Sequence, residues 1–177
     1  MTTLIEVLDT AVKIGLGAGI TAVVTYWHAK QKAKTESAKE YEKRHRTLLE
    51  QVANQIEVVN HVYLKNWALA VEFVRVRSQN EEWPQERWSK LDAVKEELFS
   101  AFSEFTSAES KLLLINETEA YKKTRELGDA IVKFARMNLK ARTHLEEREM
   151  IEIRDNIRVI RDELYKTLSS SYQTNFT

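Results

Sequence analysis

The sequence contains no cysteine, one proline and four glycines among 177 residues. Without cysteine the chain forms no disulfide and offers no thiolate to a zinc ion, although this composition is compatible with any compartment. Such low proline and glycine contents exclude turn-rich sandwiches and barrels and the glycine-rich loops of nucleotide-binding folds. A helical protein remains, because 43% apolar and 31% charged residues are enough for amphipathic helices around a core.

The N-terminal part of the chain is its most apolar stretch. No residue from Ile14 to Trp27 is charged, but a helix of that length covers only roughly 21 Å of a hydrocarbon core of roughly 30 Å. A helix that starts at Leu4 covers roughly 36 Å, and Asp9 and Lys13 can neutralise each other within it. The pattern predicts a single membrane-anchoring helix over residues 1–27. The alternative is an amphipathic helix that lies on the membrane or packs against the rest of the protein.

Small residues recur within the predicted anchor at helical spacing. Gly15 and Gly19 form a GxxxG pair, and Ala11 lies one turn before them. Ala18 and Ala22 form a second, weaker groove of the same kind. Such faces allow the backbones of two membrane helices to approach closely. We therefore expect the anchor to self-associate, which predicts a homo-oligomer.

A basic segment, residues 28–46, follows the predicted anchor and carries seven Lys or Arg and three Glu. The positive-inside rule then predicts a single-pass membrane protein with its C-terminal domain in the cytoplasm. The simplest interpretation of this segment is a solvated helix face, to which attraction to anionic lipid headgroups is a natural addition. The predicted membrane-interface anchors are Tyr26, Trp27, Lys30, Lys32 and Lys34. Nucleic acid is not an expected partner, because residues 47–177 hold 19 basic against 22 acidic side chains.

The hydrophobic period is helical almost throughout residues 47–170, and residues 171–177 form a polar tail with no such period. This pattern predicts an all-α protein with a bundle of about four long antiparallel helices, because short connections make successive helices antiparallel. The first bundle helix, residues 47–78, has alternating three- and four-residue apolar spacing. Its predicted core positions are Leu49, Val52, Ile56, Val59, Tyr63, Asn66, Ala70 and Phe73. Whether the anchor continues into this helix is left open.

Three further helices are predicted from breaks in the pattern. Pro84 marks a turn before the second helix, for which Phe102 is a predicted core residue. Asn116 to Glu119 and Thr143 to Glu146 have cap-to-N3 spacing, which predicts the starts of the third and fourth helices. Ile157 is a predicted core residue of the fourth helix, which is expected to fray from about residue 169.

The sequence supplies no recognisable catalytic or metal-binding set. A di-iron carboxylate bundle needs two inward-facing Glu-x-x-His pairs, whereas this chain has one such spacing, from Glu42 to His45. Glu57 and His61 share a helix face, and hydrogen bonding or solvent exposure explains them without catalysis. Neither a Gly-x-Ser-x-Gly elbow nor a P-loop occurs. We therefore predict no enzyme, cofactor, metal site or catalytic residue.

The charges of the fourth helix are also interpreted without a ligand. Arg154, Arg158 and Arg161 lie opposite its apolar face and are predicted to form a solvated stripe, with partner binding as the alternative. The acidic residues at its start suit the positive end of the helix dipole.

These patterns predict a non-catalytic scaffold or accessory subunit, attached to a membrane and offering its bundle surface to protein partners. The competing prediction is a membrane-permeabilising protein of the holin or toxin type, because small and charged residues within a span can support a multimeric pore.

Overall fold

The computed structural model describes the backbone of residues 4–140 and 146–174, and the side chains of residues 25–32, 34–137 and 146–173. Within these residues there are four helices, α1 (Leu4–Ser78), α2 (Gln85–Leu114), α3 (Thr118–Lys140) and α4 (Glu147–Thr174). No strand occurs among the described residues, so the all-α prediction is confirmed. The chain divides into two compact units, Met1–Arg44 and His45–Thr177, and we call the second unit the bundle.

Side-chain pairs between the helices show that α2 and α4 both run antiparallel to α1. Along α1, Gln55 and Lys65 pair with Glu104 and Glu97 of α2, which places the two helices antiparallel. Helices α1 and α4 are also antiparallel. Residues of α1 near the start of the bundle contact the C-terminal end of α4, and residues near the end of α1 contact the start of α4. The pairs are Glu50 with Tyr172, Glu57 with Arg161 and Arg75 with Glu147. The predicted antiparallel bundle is therefore confirmed.

The core consists of the predicted helical stripes. On α1, Val52, Ile56 and Val59 are fully buried, as the heptad spacing predicts. On α3 and α4, the fully buried residues include Phe134 and Ile157. Phe73 and Phe102 were also predicted to be core residues, but both are only partly buried. The α2 core instead comprises Leu91, Val94, Leu98, Ala101, Phe105, Ala108 and Leu112.

An aromatic cluster closes the turn between α1 and α2. Phe73, Trp83 and Trp88 pack together, with ring centroids 4.8 to 5.3 Å apart. Beside them, Glu72 accepts hydrogen bonds from the guanidinium of Arg87. Pro84 precedes α2 with φ −59°, which is the angle that its ring imposes. The turn predicted at Pro84 is therefore present.

The prediction that Asn116 caps the start of α3 is wrong, because this residue closes the end of α2. Its φ is 61°, in the left-handed region, and its N–H donates to the carbonyl of Leu113 at 3.1 Å. The next N–H, from Glu117, donates to Leu112 at 2.8 Å. These two bonds form a Schellman motif, which satisfies carbonyls that the helix end would leave free. Asn80, with φ 58°, closes α1 in the same way.

Asn116→Ala is expected to lower the free energy of unfolding by about 1 kcal/mol, since Asn tolerates left-handed φ better than Ala does. Asn116→Gly is the matched control and is expected to be neutral or stabilising, because glycine adopts positive φ without steric cost. Urea unfolding of both variants measures the difference. Equal destabilisation by Gly and Ala would show that the Asn side chain, and not its backbone angle, matters.

The two ends of α4 also differ from the prediction. Thr143 lies outside the described residues, and Glu146 occupies the cap position itself, where its N–H donates to the Glu149 carboxylate at 2.9 Å. Glu149 is therefore the N3 partner of this cap. At the other end, α4 continues through the expected frayed region to Thr174. Ser171 and Tyr172 explain this continuation, because they bond to Glu117 and Glu50.

Candidate functional site

The described part of the basic segment is a helix whose side chains are almost all exposed. From Thr25 to Arg44 every described side chain is exposed except Glu42, which is half-buried. Tyr26 is 68% exposed and Trp27 is 67% exposed. Because Lys30, Lys32 and Lys34 are also exposed, rings and ammonium groups lie side by side on one short stretch of helix.

Helical spacing places part of this segment on a single face. Trp27, Lys30, Gln31 and Lys34 line a shallow groove, so the indole is flanked by two ammonium groups. Trp at a membrane interface keeps its ring among the acyl chains and its N–H near water, while lysine reaches the phosphate layer. The arrangement suits a surface that is both apolar and anionic. We call Tyr26, Trp27, Lys30, Lys32 and Lys34 the basic aromatic strip.

The small residues predicted to form the membrane-helix interface are Ala11, Gly15, Ala18, Gly19 and Ala22. They lie within α1, but their side chains fall outside the described residues. Within the part of the chain whose side chains are described, no helix has a stretch long and apolar enough to cross a membrane. The predicted anchor, residues 1–27, lies almost entirely outside that part.

The predicted solvated arginine stripe of α4 is wrong for two of its three members. Arg161 donates two hydrogen bonds to the Glu57 carboxylate, at 2.6 and 3.0 Å, and the Tyr165 hydroxyl lies 2.7 Å from the same oxygen. Arg154 lies over the Trp67 ring, 4.7 Å from its centroid, in a cation–π contact. Only Arg158 is exposed as predicted. These side chains therefore join α4 to α1.

Glu57 is the centre of this α1–α4 contact, and its hydrogen bonds control its ionisation. Partial burial raises the pKa of its carboxyl, but hydrogen bonds from Tyr165 and Arg161 outweigh burial and bring the pKa below its ordinary value of 4.5. Burial and the neighbouring carboxylate raise the pKa of the Tyr165 hydroxyl. His61, which the sequence places on the same face as Glu57, is exposed.

The bundle is expected to lose the stabilisation due to Glu57 as the pH falls below 4.5. The folded state depresses this pKa, so the stabilisation is present above the unfolded value and disappears through the folded one. Glu57→Gln should therefore destabilise the protein at neutral pH and lose part of that effect in acid. Urea midpoints at both pH values measure the change, with exposed Glu96→Gln as the control. A destabilisation that is the same at both pH values would contradict the assignment.

A second polar cluster closes the other end of the α1–α4 contact. The Nε2 atom of buried His45 lies 3.1 Å from one oxygen of Glu117. The Ser171 hydroxyl donates to the other oxygen at 2.6 Å. His45 thus bonds to a residue that lies just beyond the end of α2. The described residues contain no group of three or more His, Asp or Glu side chains that could hold a metal ion.

Two grooves whose rims carry opposite charges lie on neighbouring faces of the bundle. The first, between α2 and α3, has a volume of about 390 Å³, an apolar lining and two cationic side chains, Lys95 and Arg136. We call it the basic groove. The second, between α3 and α4, has a volume of about 370 Å³ and two carboxylates, Glu149 and Glu152. We call it the acidic groove.

Sequence reasoning missed both grooves, because each combines residues from more than one helix. The signal for the basic groove was the position of Phe99, which lies beside the core face of α2 and is 79% exposed. Its neighbour in the groove, Phe102, is a residue that was wrongly predicted to be a core residue.

The chain was compared with protein-family models, with curated proteins and with solved structures, and it matches none of them.

Proposed function

We propose that this protein is a non-catalytic helical adaptor that attaches to an anionic membrane and offers its bundle to protein partners. The observation that carries the proposal is the basic aromatic strip, in which exposed rings and lysines share one short helical stretch. A buried or structural role would not leave Tyr26 and Trp27 about two-thirds exposed beside three exposed lysines. Residues 1–27 serve as the membrane-inserting part in this proposal.

The polar groups inside the bundle support a structural interpretation of that unit. The Glu57 carboxylate accepts hydrogen bonds from both the Arg161 guanidinium and the Tyr165 hydroxyl. The His45 ring and the Glu117 carboxylate likewise bond to each other. The ionisable groups of an enzyme cleft are directed at a substrate, whereas these groups bond to other residues of the bundle. We therefore propose that the work of the bundle is binding.

Vesicle binding tests the proposal with the full chain. We expect the protein to float with vesicles of equimolar phosphatidylcholine and phosphatidylserine, and to bind phosphatidylcholine vesicles more weakly, because the lysines attract anionic headgroups. Equal binding to both vesicles would refute the role of the basic segment. Dye-loaded vesicles of the same composition separate the competing function, since leakage at stoichiometric protein would favour permeabilisation over an adaptor.

Orientation and self-association complete this proposal. The bundle lies on the cytoplasmic side, and protomers associate through the face of Gly15 and Gly19. Gly15→Ile and Gly19→Ile should reduce association in a membrane two-hybrid reporter at matched insertion, because their bulk separates the backbones. Protease protection of the C-terminus tests the orientation. Unchanged association, or a C-terminus outside the cytoplasm, would refute the corresponding part.

A further inference from the structure

The two grooves of the bundle are complementary in charge and similar in volume. Lys95 from α2 and Arg136 from α3 lie at the basic groove, and Glu149 and Glu152 from α4 lie at the acidic groove. Lys133 also lines the acidic groove, where the two carboxylates outnumber it. Volumes of about 390 and 370 Å³ mean that neither groove is a minor surface irregularity.

The charged side chains at the grooves already have surface partners within the chain. Lys95 lies 3.4 Å from Asp92, and Glu152 accepts a hydrogen bond from Arg148 at 3.0 Å. Glu149 accepts the N–H of Glu146. Exposed pairs of this kind contribute little to stability, and each carboxylate has a second oxygen for a further cation. The local pairs are therefore compatible with docking across an interface.

Phe99 is an exposed apolar side chain at the basic groove. Its ring lies at the basic groove and is 79% exposed, although phenylalanine is among the residue types most often buried. The acidic groove has Met137 and Ile153 in its lining, and a thioether packs well against an aromatic ring. An exposed aromatic residue within a charged rim is the usual arrangement of an interface hot spot.

We propose that two copies of this chain dock through these grooves, the basic groove of one copy against the acidic groove of the other. A second copy is the occupant that accounts for both grooves, whereas an acidic helix from another protein would account only for the basic one. The chain also has equal numbers of basic and acidic residues, 27 of each, so net repulsion between copies is small. This inference is independent of membrane attachment.

Docking of two different surfaces makes the association head-to-tail. Each added copy leaves one basic and one acidic groove open at the ends, so assemblies grow unless the rotation closes a ring. Salt should weaken them, because the rim charges are partly exposed. A two-fold dimer would instead bring identical grooves together.

Crosslinking of the full chain tests the proposal, and the absence of native cysteine makes each introduced thiol unique. Ala135→Cys labels the basic groove and Ala130→Cys labels the acidic groove. The two variants, one of them tagged, are mixed and treated with a short bis-maleimide. We expect a crosslinked heterodimer at about tenfold the yield of a control pair of Ala130→Cys with exposed Val58→Cys on α1. Association through residues 1–27 would raise both yields and leave their ratio unchanged.

Charge reversal makes the test specific. Lys95→Glu with Arg136→Glu, in the Ala135→Cys copy, should lower the yield about tenfold by opposing like charges. Glu149→Lys with Glu152→Lys in the partner copy should restore it. Circular dichroism checks that each variant is folded, which matters most at Lys95, whose side chain is 16% exposed, whereas Arg136, Glu149 and Glu152 are exposed. A yield equal to the control, a dominant crosslink between two Ala135→Cys copies, or reversal without restoration would each overturn the proposal.

Discussion

Phe134→Ala is expected to lower the free energy of unfolding of the bundle by about 3 to 5 kcal/mol. Phe134 is fully buried, and its ring meets that of Tyr63 edge to face, with the centroids 5.3 Å apart. Removing the ring deletes an aromatic contact between α3 and α1 and leaves a cavity that the rigid helices fill only in part. Urea unfolding followed by circular dichroism at 222 nm measures the loss.

Phe99→Ala is the matched control for this substitution. The same atoms are removed from a side chain that is 79% exposed, so we expect a change within about 0.5 kcal/mol. The measurement is made in dilute protein, where contacts between copies do not contribute. Similar losses at the two positions would mean that α3 does not bury Phe134 against α1, and the assignment of the core would be wrong.

Replacing Lys30, Lys32 and Lys34 together by Gln is expected to weaken binding to phosphatidylserine-containing vesicles by about 100-fold. Each lysine near an anionic surface contributes about 1 kcal/mol, and three of them correspond to about two orders of magnitude in affinity. Gln removes the charge and keeps a polar side chain of comparable length, so the helix should persist. The lipid concentration at half-maximal binding gives the change.

Three exposed lysines of the bundle provide the control with the same loss of charge. They are Lys90 on α2, Lys122 on α3 and Lys166 on α4. Because this control lowers the net charge equally, a difference between the two triple variants reports on position and not on overall electrostatics. If both variants bind equally well, the basic aromatic strip is not the membrane-binding surface.

Most of the bundle could be predicted from hydrophobic periodicity. An apolar stripe on one helix face, such as Val52, Ile56 and Val59, is removed from water by packing against other helices. The ends of the helices were harder to predict from the sequence. Asn116 precedes Glu119 with the spacing of an N-terminal cap, yet an asparagine is equally suited to the left-handed position after a helix. Which role it takes depends on the length of α2, and the apolar patch Leu112 to Ile115 does not fix that length.

Surface contacts were predicted least well, because they depend on the neighbouring helix. Arg154 and Arg161 lie off the apolar stripe of α4, so periodicity assigns them to solvent. Trp67 and Glu57 of α1 lie opposite them and turn them into inter-helix contacts. The error at Phe102 has the same origin, since a helix pattern gives the direction of a side chain but not how far the next helix extends over it.

The order of the helices has a consequence for how the bundle folds. Three of its helix–helix contacts, α1–α2, α2–α3 and α3–α4, join helices that are consecutive in the chain through short connections, which cost little loop-closure entropy. The α1–α4 seam differs, because its Glu57 and Arg161 are 104 residues apart. Proteins rich in local contacts fold in microseconds to milliseconds, and the non-local seam should form after the helical hairpins that bring its ends together. The contacts that the α4 arginines make with α1 should therefore form last in the folding reaction.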